Sequence, residues 1–352
     1  MDVCWESAEV DPQALDALRS KSPDLRGLAE IRLLALEDGP GRGQRLIVCR
    51  NAAGFECEIS VDRGFDISAV RWRGTNLGWN GPVGGGVPAQ GLDAEDGLGL
   101  LRSFDGFLVT CGLDHFGVPA TGSAEHYIYP HRQRTHWPLH GRICGVAATL
   151  RGYGIDLERE SPILWCEGEL RQAALFGEVL LLRRRIEVSL FEPGLSLRDR
   201  ISNEGRRPAR HGLLYHINVG YPLLDEQAAL CGDFPQWLLG DFASSPPIPD
   251  DAVRERFDAC RSIGSSSGVS RVGVRNPRLD GGIQMDIAYS ATRLPGLGLW
   301  RAWQAGIYAL GIEPHSELAP SDARYRAPST PGFIEPGDSL DYQFDISVAS
   351  LA

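Results

Sequence analysis

The hydrophobic pattern of this chain changes near residue 31, from a helical period to the alternation that is typical of β-strands. Beyond that point, short segments alternate apolar and polar residues or contain β-branched runs, and Gly, Asn, Asp and Pro separate them. The pattern predicts strands at 45–50, 56–61, 163–170, 179–188, 195–201, 285–289, 306–312 and 340–346. Because no helical segments alternate with these strands, we expect an all-β fold of antiparallel sheets packed face to face. A Rossmann fold or a β/α barrel is excluded.

The N-terminal residues have a different pattern. Asp11 and Pro12 are typical of an N-cap and a first helical position, and Leu15 and Leu18 fall on one helix face. The sequence therefore predicts a short helical extension over residues 1–38, followed by one β-sandwich domain over 39–352. The start is acidic and lacks the regions of a signal peptide, and no run of eighteen apolar residues occurs. We expect a cytoplasmic protein with no membrane partner.

Charge and composition exclude several classes of protein. The chain has 352 residues with 35 Lys+Arg against 46 Asp+Glu, a net charge of −11, which disfavours nucleic acid as a partner. Lys21 is the only lysine and lies in a polar stretch, so Schiff-base enzymes, pyridoxal enzymes and Walker-type phosphate loops are excluded. None of the 8 cysteines forms a CxxC pair, so we expect buried thiols in a reducing compartment.

Five of the 8 histidines (His115, His126, His131, His136 and His140) fall within residues 115–140, which raises the question of a metal. His136 and His140 have an i, i+4 spacing, but Pro138 prevents the helix that would bring both rings to one ion. On an extended strand the two positions lie about 13 Å apart. We therefore predict no metal and no cofactor. A metal-assisted isomerase, epimerase or lyase that uses the His115/His140 region stays open as an alternative.

Three segments carry the strongest candidate chemistry. His140 and Arg142 flank a glycine at the mouth of a strand, where they suit hydrogen bonds to hydroxyls, although a solvated turn has the same pattern. His216 and Asn218 share the polar face of an otherwise apolar strand, so they need partners or a ligand, although a core histidine is an open alternative. Glu313 ends a buried-looking strand, where desolvation can raise the pKa of a general base; an ordinary turn glutamate is the alternative.

Further candidates lie in two segments that have charged residues beside a glycine at the end of a strand, and one more lies next to Glu313. They are Arg63 and Asp66 in the segment 62–67, Asp114 and His115 in the segment 110–115, and His315 just after Glu313. We include them as candidate substrate-binding residues. For the first segment, a charge pair between Asp62 and Arg63 that stabilises a turn is an equally simple interpretation.

The ordered series of segments 62–67, 110–113, 139–142, 215–222 and 312–314 resembles the aldose 1-epimerase (galactose mutarotase-like) superfamily, and within it a bacterial branch of the DUF4432 type. The resemblance covers roughly residues 40–350 and implies a β-supersandwich with an open groove for a pyranose. It implies that His216 acts as acid, that Glu313 acts as base, and that His140 with Arg142 binds the sugar. The arginine that mutarotases carry before the sugar-binding histidine has no clear counterpart, and their Asp-Phe-Arg segment is missing.

The resemblance implies a mutarotase that interconverts the anomers of a monosaccharide or small sugar derivative without a cofactor. Glu313 would take the proton from the anomeric hydroxyl while His216 protonates the ring oxygen, so that the ring opens and closes again from the other face. A non-catalytic carbohydrate-binding protein would use the same groove and stays open as a second alternative. We expect a monomer or a homodimer.

Overall fold

The alternating segments form an antiparallel all-β structure, as predicted, with twenty-two strands among the described residues. The computed structural model describes residues 16, 19–85, 91–125, 127–242, 245–317 and 332–351. The helix start predicted at Asp11 and Pro12, and His126 of the histidine cluster, lie outside these residues. Within them, no helix is long and apolar enough to cross a membrane.

A five-stranded sheet forms the N-terminal part, in the order β1-β2-β3-β4-β5. Its strands are β1 (Glu30–Ala35), β2 (Arg45–Arg50), β3 (Phe55–Ser60), β4 (Asp66–Trp72) and β5 (Thr75–Asn76). Two small hairpins add β7 (Ala120–Ser123) with β8 (Arg134–Trp137), and β13 (Ala209–His211) with β21 (Gly332–Ile334).

The largest sheet has eight strands in the order β15-β17-β18-β22-β12-β11-β10-β9. The strands are β9 (Thr149–Asp156), β10 (Ile163–Ala173), β11 (Val179–Ser189), β12 (Gly194–Asn203), β15 (Ala229–Gly232), β17 (Val269–Asn276), β18 (Ile283–Ser290) and β22 (Ser339–Ser350). Strand β11 illustrates why the pattern predicts strands: Leu182 and Ile186 are buried on one face, whereas Arg183 on the other face is exposed.

A second five-stranded sheet, which we call the site sheet, has the order β16-β19-β20-β14-β6. Its strands are β6 (Leu108–Cys111), β14 (Leu214–Val219), β16 (Arg256–Arg261), β19 (Gly296–Ala302) and β20 (Ala309–His315). One large apolar cluster contains buried residues of all three large sheets, such as Ile47, Ile217 and Phe344. The site sheet is therefore held against the core on one face.

Short helical segments lie in the connections. They are a helical turn at Ala94–Gly97 and 3₁₀ segments at Leu25–Gly27, Gly99–Arg102, Ile143–Gly145, Gln236–Phe242 and Leu279–Gly281.

Two boundaries drawn from the sequence are wrong. Residues 30–35, assigned to the helical extension, form β1, which pairs with β2 over its whole length. Their apolar residues are mostly exposed at the edge of the sheet. The sequence of this strand therefore lacks the alternation of buried apolar and exposed polar residues by which a strand is predicted. The strand predicted at 306–312 begins only at Ala309, because Gly306 has a positive φ of 79° and Tyr308 one of 40°. The division into an extension and a domain stays a prediction.

Candidate active site

The register of the site sheet brings together two candidates that are far apart in sequence. Ile217 of β14 pairs with Ile312 of β20, which places His216 opposite Glu313 on the same face. The Nε2 atom of His216 lies 3.1 Å from Oε1 of Glu313, and both side chains are almost completely buried. The sheet therefore holds an imidazole and a carboxyl group within proton-transfer distance of each other.

Glycines on the neighbouring strand positions make room for this pair. A Cβ atom at Gly311 of β20 would lie 2.7 Å from Cε1 of His216 and 3.0 Å from Oε1 of Glu313. At Gly298 of β19, which pairs with Glu313, an added Cβ would lie 2.5 Å from Cε2 of Phe257 and 3.3 Å from the Cβ of Glu313. Since a side chain at Gly311 would have to displace the pair, we infer that glycine is needed there for space.

Asn218 fixes the orientation of His216. Its amide nitrogen Nδ2 donates to the carbonyl oxygen of Gly106 at 2.9 Å, so its oxygen Oδ1 faces Nδ1 of His216 at 2.6 Å. An amide oxygen can only accept, and Nδ1 of His216 must therefore carry a proton. Nε2 is left facing Glu313. Asn218 was predicted to bind substrate, and the structure places it behind His216 as its hydrogen-bond partner.

Burial shifts the pKa of both members of the pair. Burial is the main cause that raises the pKa of Glu313 to about 8, and the negative charge of Glu255 acts in the same direction. Burial and the nearby His140 ring lower the pKa of His216 well below its usual range, and the hydrogen bond to Asn218 acts in the opposite direction. At neutral pH these shifts favour the acid form of Glu313 and the neutral ring of His216.

Aromatic side chains surround His216. The Phe104 ring lies 4.9 Å and the Trp300 ring 5.5 Å from the His216 ring, both edge to face, and Trp79 packs against both. The Trp300 indole donates to Oε2 of the exposed Glu255 at 2.8 Å. Three of these residues, Phe104, Trp300 and Glu255, were missed from sequence. Trp300 lies on the same face of β19 as Gly298. The alternation of small residues with an aromatic residue in this strand is a sequence pattern that could have identified Trp300 as a candidate site residue.

His140 lies against the pair, and Arg142 faces away from it. The His140 ring is 5.5 Å from the His216 ring and perpendicular to it, and Nδ1 accepts from the backbone amide of Gly117 at 3.4 Å. Burial lowers the pKa of His140 to about 4, so the ring is neutral with Nε2–H as its donor. Arg142 forms an ion pair with Asp93 at 2.6 Å instead.

Arg63 and Asp66 were predicted to bind substrate, but protein partners engage both side chains. Arg63 donates to the Ser103 carbonyl oxygen at 2.6 Å and is 3% exposed. Asp66 accepts from Arg184 at 2.7 Å and from the amide and hydroxyl groups of Thr110. Periodicity could not reveal these bonds, because Arg184 lies 118 residues away along the chain.

The remaining three candidates are also held by the protein. Asp114 accepts from the Trp137 indole at 2.9 Å and from Gln172 at 2.7 Å. Nε2 of His115 lies 2.9 Å from the carbonyl oxygen of Val118. His315, two residues beyond Glu313 on the same face of β20, has Nδ1 2.9 Å from the carbonyl oxygen of Glu313. Burial lowers the pKa of His315 to about 4, so it is neutral at physiological pH.

Among the described residues, no three His, Cys, Asp or Glu side chains converge in the way that a metal-ligand set does. His115 and His140, which the metal-assisted alternative invokes, have ring nitrogens bonded to the backbone of residues 117 and 118.

Comparisons with known proteins agree with this architecture. The sequence profile of a family described as a domain of unknown function (DUF4432) matches residues 41–348. No curated protein is significantly similar in sequence. Among solved structures, a candidate aldose 1-epimerase from Klebsiella pneumoniae aligns with a TM-score of 0.76 at 20% identity, over 90% of this chain and 83% of that chain.

Two further structures have the same fold at lower similarity. A galactose mutarotase-like protein from Clostridium acetobutylicum has a TM-score of 0.59 at 12% identity, over 92% of this chain and 100% of that chain. A galactose 1-epimerase from Lactobacillus acidophilus has a TM-score of 0.53 at 14% identity, over 92% of this chain and 99% of that chain. The predicted all-β fold and the predicted DUF4432 family are confirmed.

Proposed function

This chain belongs to the DUF4432 family, and we propose that it is an aldose 1-epimerase that interconverts the anomers of a pyranose by acid–base catalysis. The observation that carries the proposal is the buried contact of 3.1 Å between Nε2 of His216 and Oε1 of Glu313. Mutarotation moves protons only, between an anomeric hydroxyl and a ring oxygen a few ångströms apart. A single acid–base pair that shares one proton supplies what this reaction needs.

Each half of the reaction uses the shared proton once. With the proton on Nε2 of His216, the Glu313 carboxylate accepts the proton of the anomeric hydroxyl while His216 protonates the ring oxygen. The C1–O5 bond breaks and gives the open-chain aldehyde. After rotation about C1–C2, the proton transfers run in reverse, the ring closes on the other face, and the pair is restored. Each positioned group is expected to contribute about 10²–10⁴-fold.

The surrounding residues fit this chemistry. Asn218 holds His216 so that Nε2 faces the reacting atoms, and the neutral His140 offers an Nε2–H donor to a sugar oxygen. The aromatic rings of Phe104 and Trp300 form apolar walls around the pair, which suits the carbon faces of a pyranose.

Anomeric exchange spectroscopy by NMR tests the proposal. We expect purified protein to accelerate the interconversion of at least one sugar in a panel of neutral, acidic and sulfonated aldoses, with or without a chelator. Line broadening of a sugar without faster exchange would contradict catalysis and favour a binding protein. Loss of exchange on adding chelator would favour the metal-assisted alternative.

The pH dependence of exchange follows from the pKa of Glu313. Below about pH 8 the free enzyme keeps the shared proton, and above it that proton is lost. We therefore expect kcat/KM to be flat between about pH 6.5 and 7.5 and to fall about tenfold per pH unit above about 8, after subtraction of the spontaneous reaction. No acid limb is expected near pH 6.5, because His216 is already neutral there. A kcat/KM that rises steadily through pH 8 would contradict the one-proton pair.

A further inference from the structure

Asp105 lies between two residues that contact His216 or its partner Asn218, and the proposed mechanism gives it no part. The Phe104 ring before it lies 4.9 Å from the His216 ring. The carbonyl oxygen of Gly106 after it accepts from Nδ2 of Asn218 at 2.9 Å. Asp105 itself is only 5% exposed. Because a buried carboxylate needs hydrogen-bond donors, its partners show which part of the chain it holds.

The partner of Asp105 belongs to the turn that follows Trp79. The backbone amide of Gly81 donates to Oδ1 of Asp105 at 2.5 Å. Oδ2 faces Gly85 in the same turn, where an added Cβ atom would lie 3.1 Å from it. The carboxylate therefore joins this turn to the segment 104–106.

The two segments that this bond joins also pack closely against each other. The Trp79 and Phe104 rings lie 5.9 Å apart, and the Phe104 ring contacts His216. A Cβ atom at Gly81 would lie 2.5 Å from the carbonyl oxygen of Phe104 and 2.9 Å from the Trp79 ring. Since only a glycine permits this approach, the bond between Gly81 and Asp105 forms where the two segments are closest.

The position of the Gly106 carbonyl group decides the orientation of the Asn218 amide. Because Asn218 donates to that carbonyl group, it presents its oxygen to Nδ1 of His216 at 2.6 Å. If the carbonyl group moved away, the amide could turn over and present its NH₂ group, and Nδ1 would then have to accept. His216 could no longer carry a proton on both ring nitrogens, which the acid step of the proposed mechanism requires.

We propose that Asp105 is a positioning residue that sets the tautomer of His216 through the carbonyl group of Gly106. It acts by holding the turn at Gly81 against the segment 104–106. The inference rests on the proposed function for its effect on the reaction, whereas its effect on the tautomer does not depend on turnover.

Removal of the Asp105 carboxylate tests the proposal by two measurements. In Asp105→Ala we expect kcat for anomeric exchange to fall about 10- to 100-fold, as a small misplacement of a reacting group can cause, with KM changed less than about threefold. Heteronuclear NMR of protein labelled at the histidine nitrogens, with the His216 signals identified by His216→Gln, reports the tautomer. We expect Nδ1–H in the wild type and Nε2–H in Asp105→Ala. Asp105→Asn keeps an oxygen that can accept from Gly81, so it should retain the wild-type tautomer and at least about a third of the rate.

Asp233→Ala is the matched control. The Asp233 carboxylate also accepts from the backbone amide of a distant residue, Arg271, at 3.0 Å, but it does so beside β15, the edge strand of the eight-stranded sheet. The control should keep the wild-type tautomer and a rate within about threefold of the wild type. If Asp105→Ala does not fold, Asp105→Ser gives the same comparison, because its oxygen is one atom closer to the backbone and should not reach Gly81.

An unchanged His216 tautomer in the folded Ala or Ser variant overturns the proposal even if exchange slows, because the loss would then be a general effect of a disturbed fold. A reversed tautomer with an unchanged rate overturns it as well. Failure of the proposed function gives a different result, namely no faster exchange of any sugar by the wild-type protein. In that case the tautomer still decides: reversal in Asp105→Ala but not in Asp105→Asn supports the role of Asp105, and no reversal overturns it.

Discussion

Replacing Glu313 with Gln is expected to lower the rate of anomeric exchange by about 10³-fold, within the 10²–10⁴-fold that a positioned acid–base group contributes. Glutamine has nearly the same shape, but it cannot take up or release the proton that the pair shares. The contact with His216 at 3.1 Å would become an ordinary amide–imidazole interaction. Sugar binding should persist, because the amide can still donate to or accept from a hydroxyl group. Exchange rates and line broadening on the same samples measure both effects.

The variant should fold, which keeps this test interpretable. Glu313 has its pKa raised from 4.5 to about 8, so the native state keeps a proton that the unfolded chain releases between these values. The wild-type protein therefore loses stability as the pH rises through that window, and Glu313→Gln lacks this loss. Urea unfolding of both proteins at pH 6 and 8 checks the sign.

Glu187→Gln provides a matched control for the activity measurement. Glu187 is a largely buried glutamate of β11 in the eight-stranded sheet, where it pairs with Arg185 at 2.7 Å. Its replacement should leave the exchange rate within about threefold of the wild type, since a positioned acid–base group alone accounts for the larger loss. If Glu313→Gln kept more than a tenth of the wild-type rate, Glu313 would not be the proton-transfer group.

The strands and two residues of the candidate site could be predicted because each has a local signal. Strand β2 was predicted with its observed ends, since residues 46–49 form a short apolar run with β-branched residues between two arginines, and Asn51 with the turn after it stops the run. His216 and Asn218 were recognised as polar side chains two residues apart on an apolar strand, and they are hydrogen-bonded to each other. A spacing of two residues can be interpreted from sequence alone, because successive side chains of a β-strand point to opposite faces of the sheet.

The partners of each polar residue could not be predicted, because they come from distant parts of the chain. Asp66 beside a glycine at a strand end has the pattern of a binding residue, yet Arg184 neutralises it from another sheet. Glu255 reaches the site from the segment before β16, and its pattern does not separate it from other surface residues.

Loss of the Arg184 side chain is expected to lower the free energy of unfolding strongly. Its side chain is completely buried, with two bonds to Asp199 at 2.8 and 2.7 Å and one to Asp66 at 2.7 Å. The Tyr215 hydroxyl donates to Asp199 and the Thr110 amide donates to Asp66, so this network lies directly beneath His216 on β14. Burial raises the pKa of Asp66, which indicates that even with Arg184 present its charge is costly.

We expect Arg184→Met to lower the free energy of unfolding by about 3–5 kcal/mol, because it leaves two buried carboxylates without their cation. Urea denaturation at pH 7 measures this change. Arg183→Met is the matched control: the neighbouring side chain is 58% exposed in a pair with Glu169, and its loss should cost less than about 1 kcal/mol. Combining Arg184→Met with Asp66→Asn and Asp199→Asn should recover part of the stability, since the unpaired charges are then removed as well. Equal costs for Arg183→Met and Arg184→Met would contradict a structural role for the buried network and return Asp66 to the candidate sugar-binding residues.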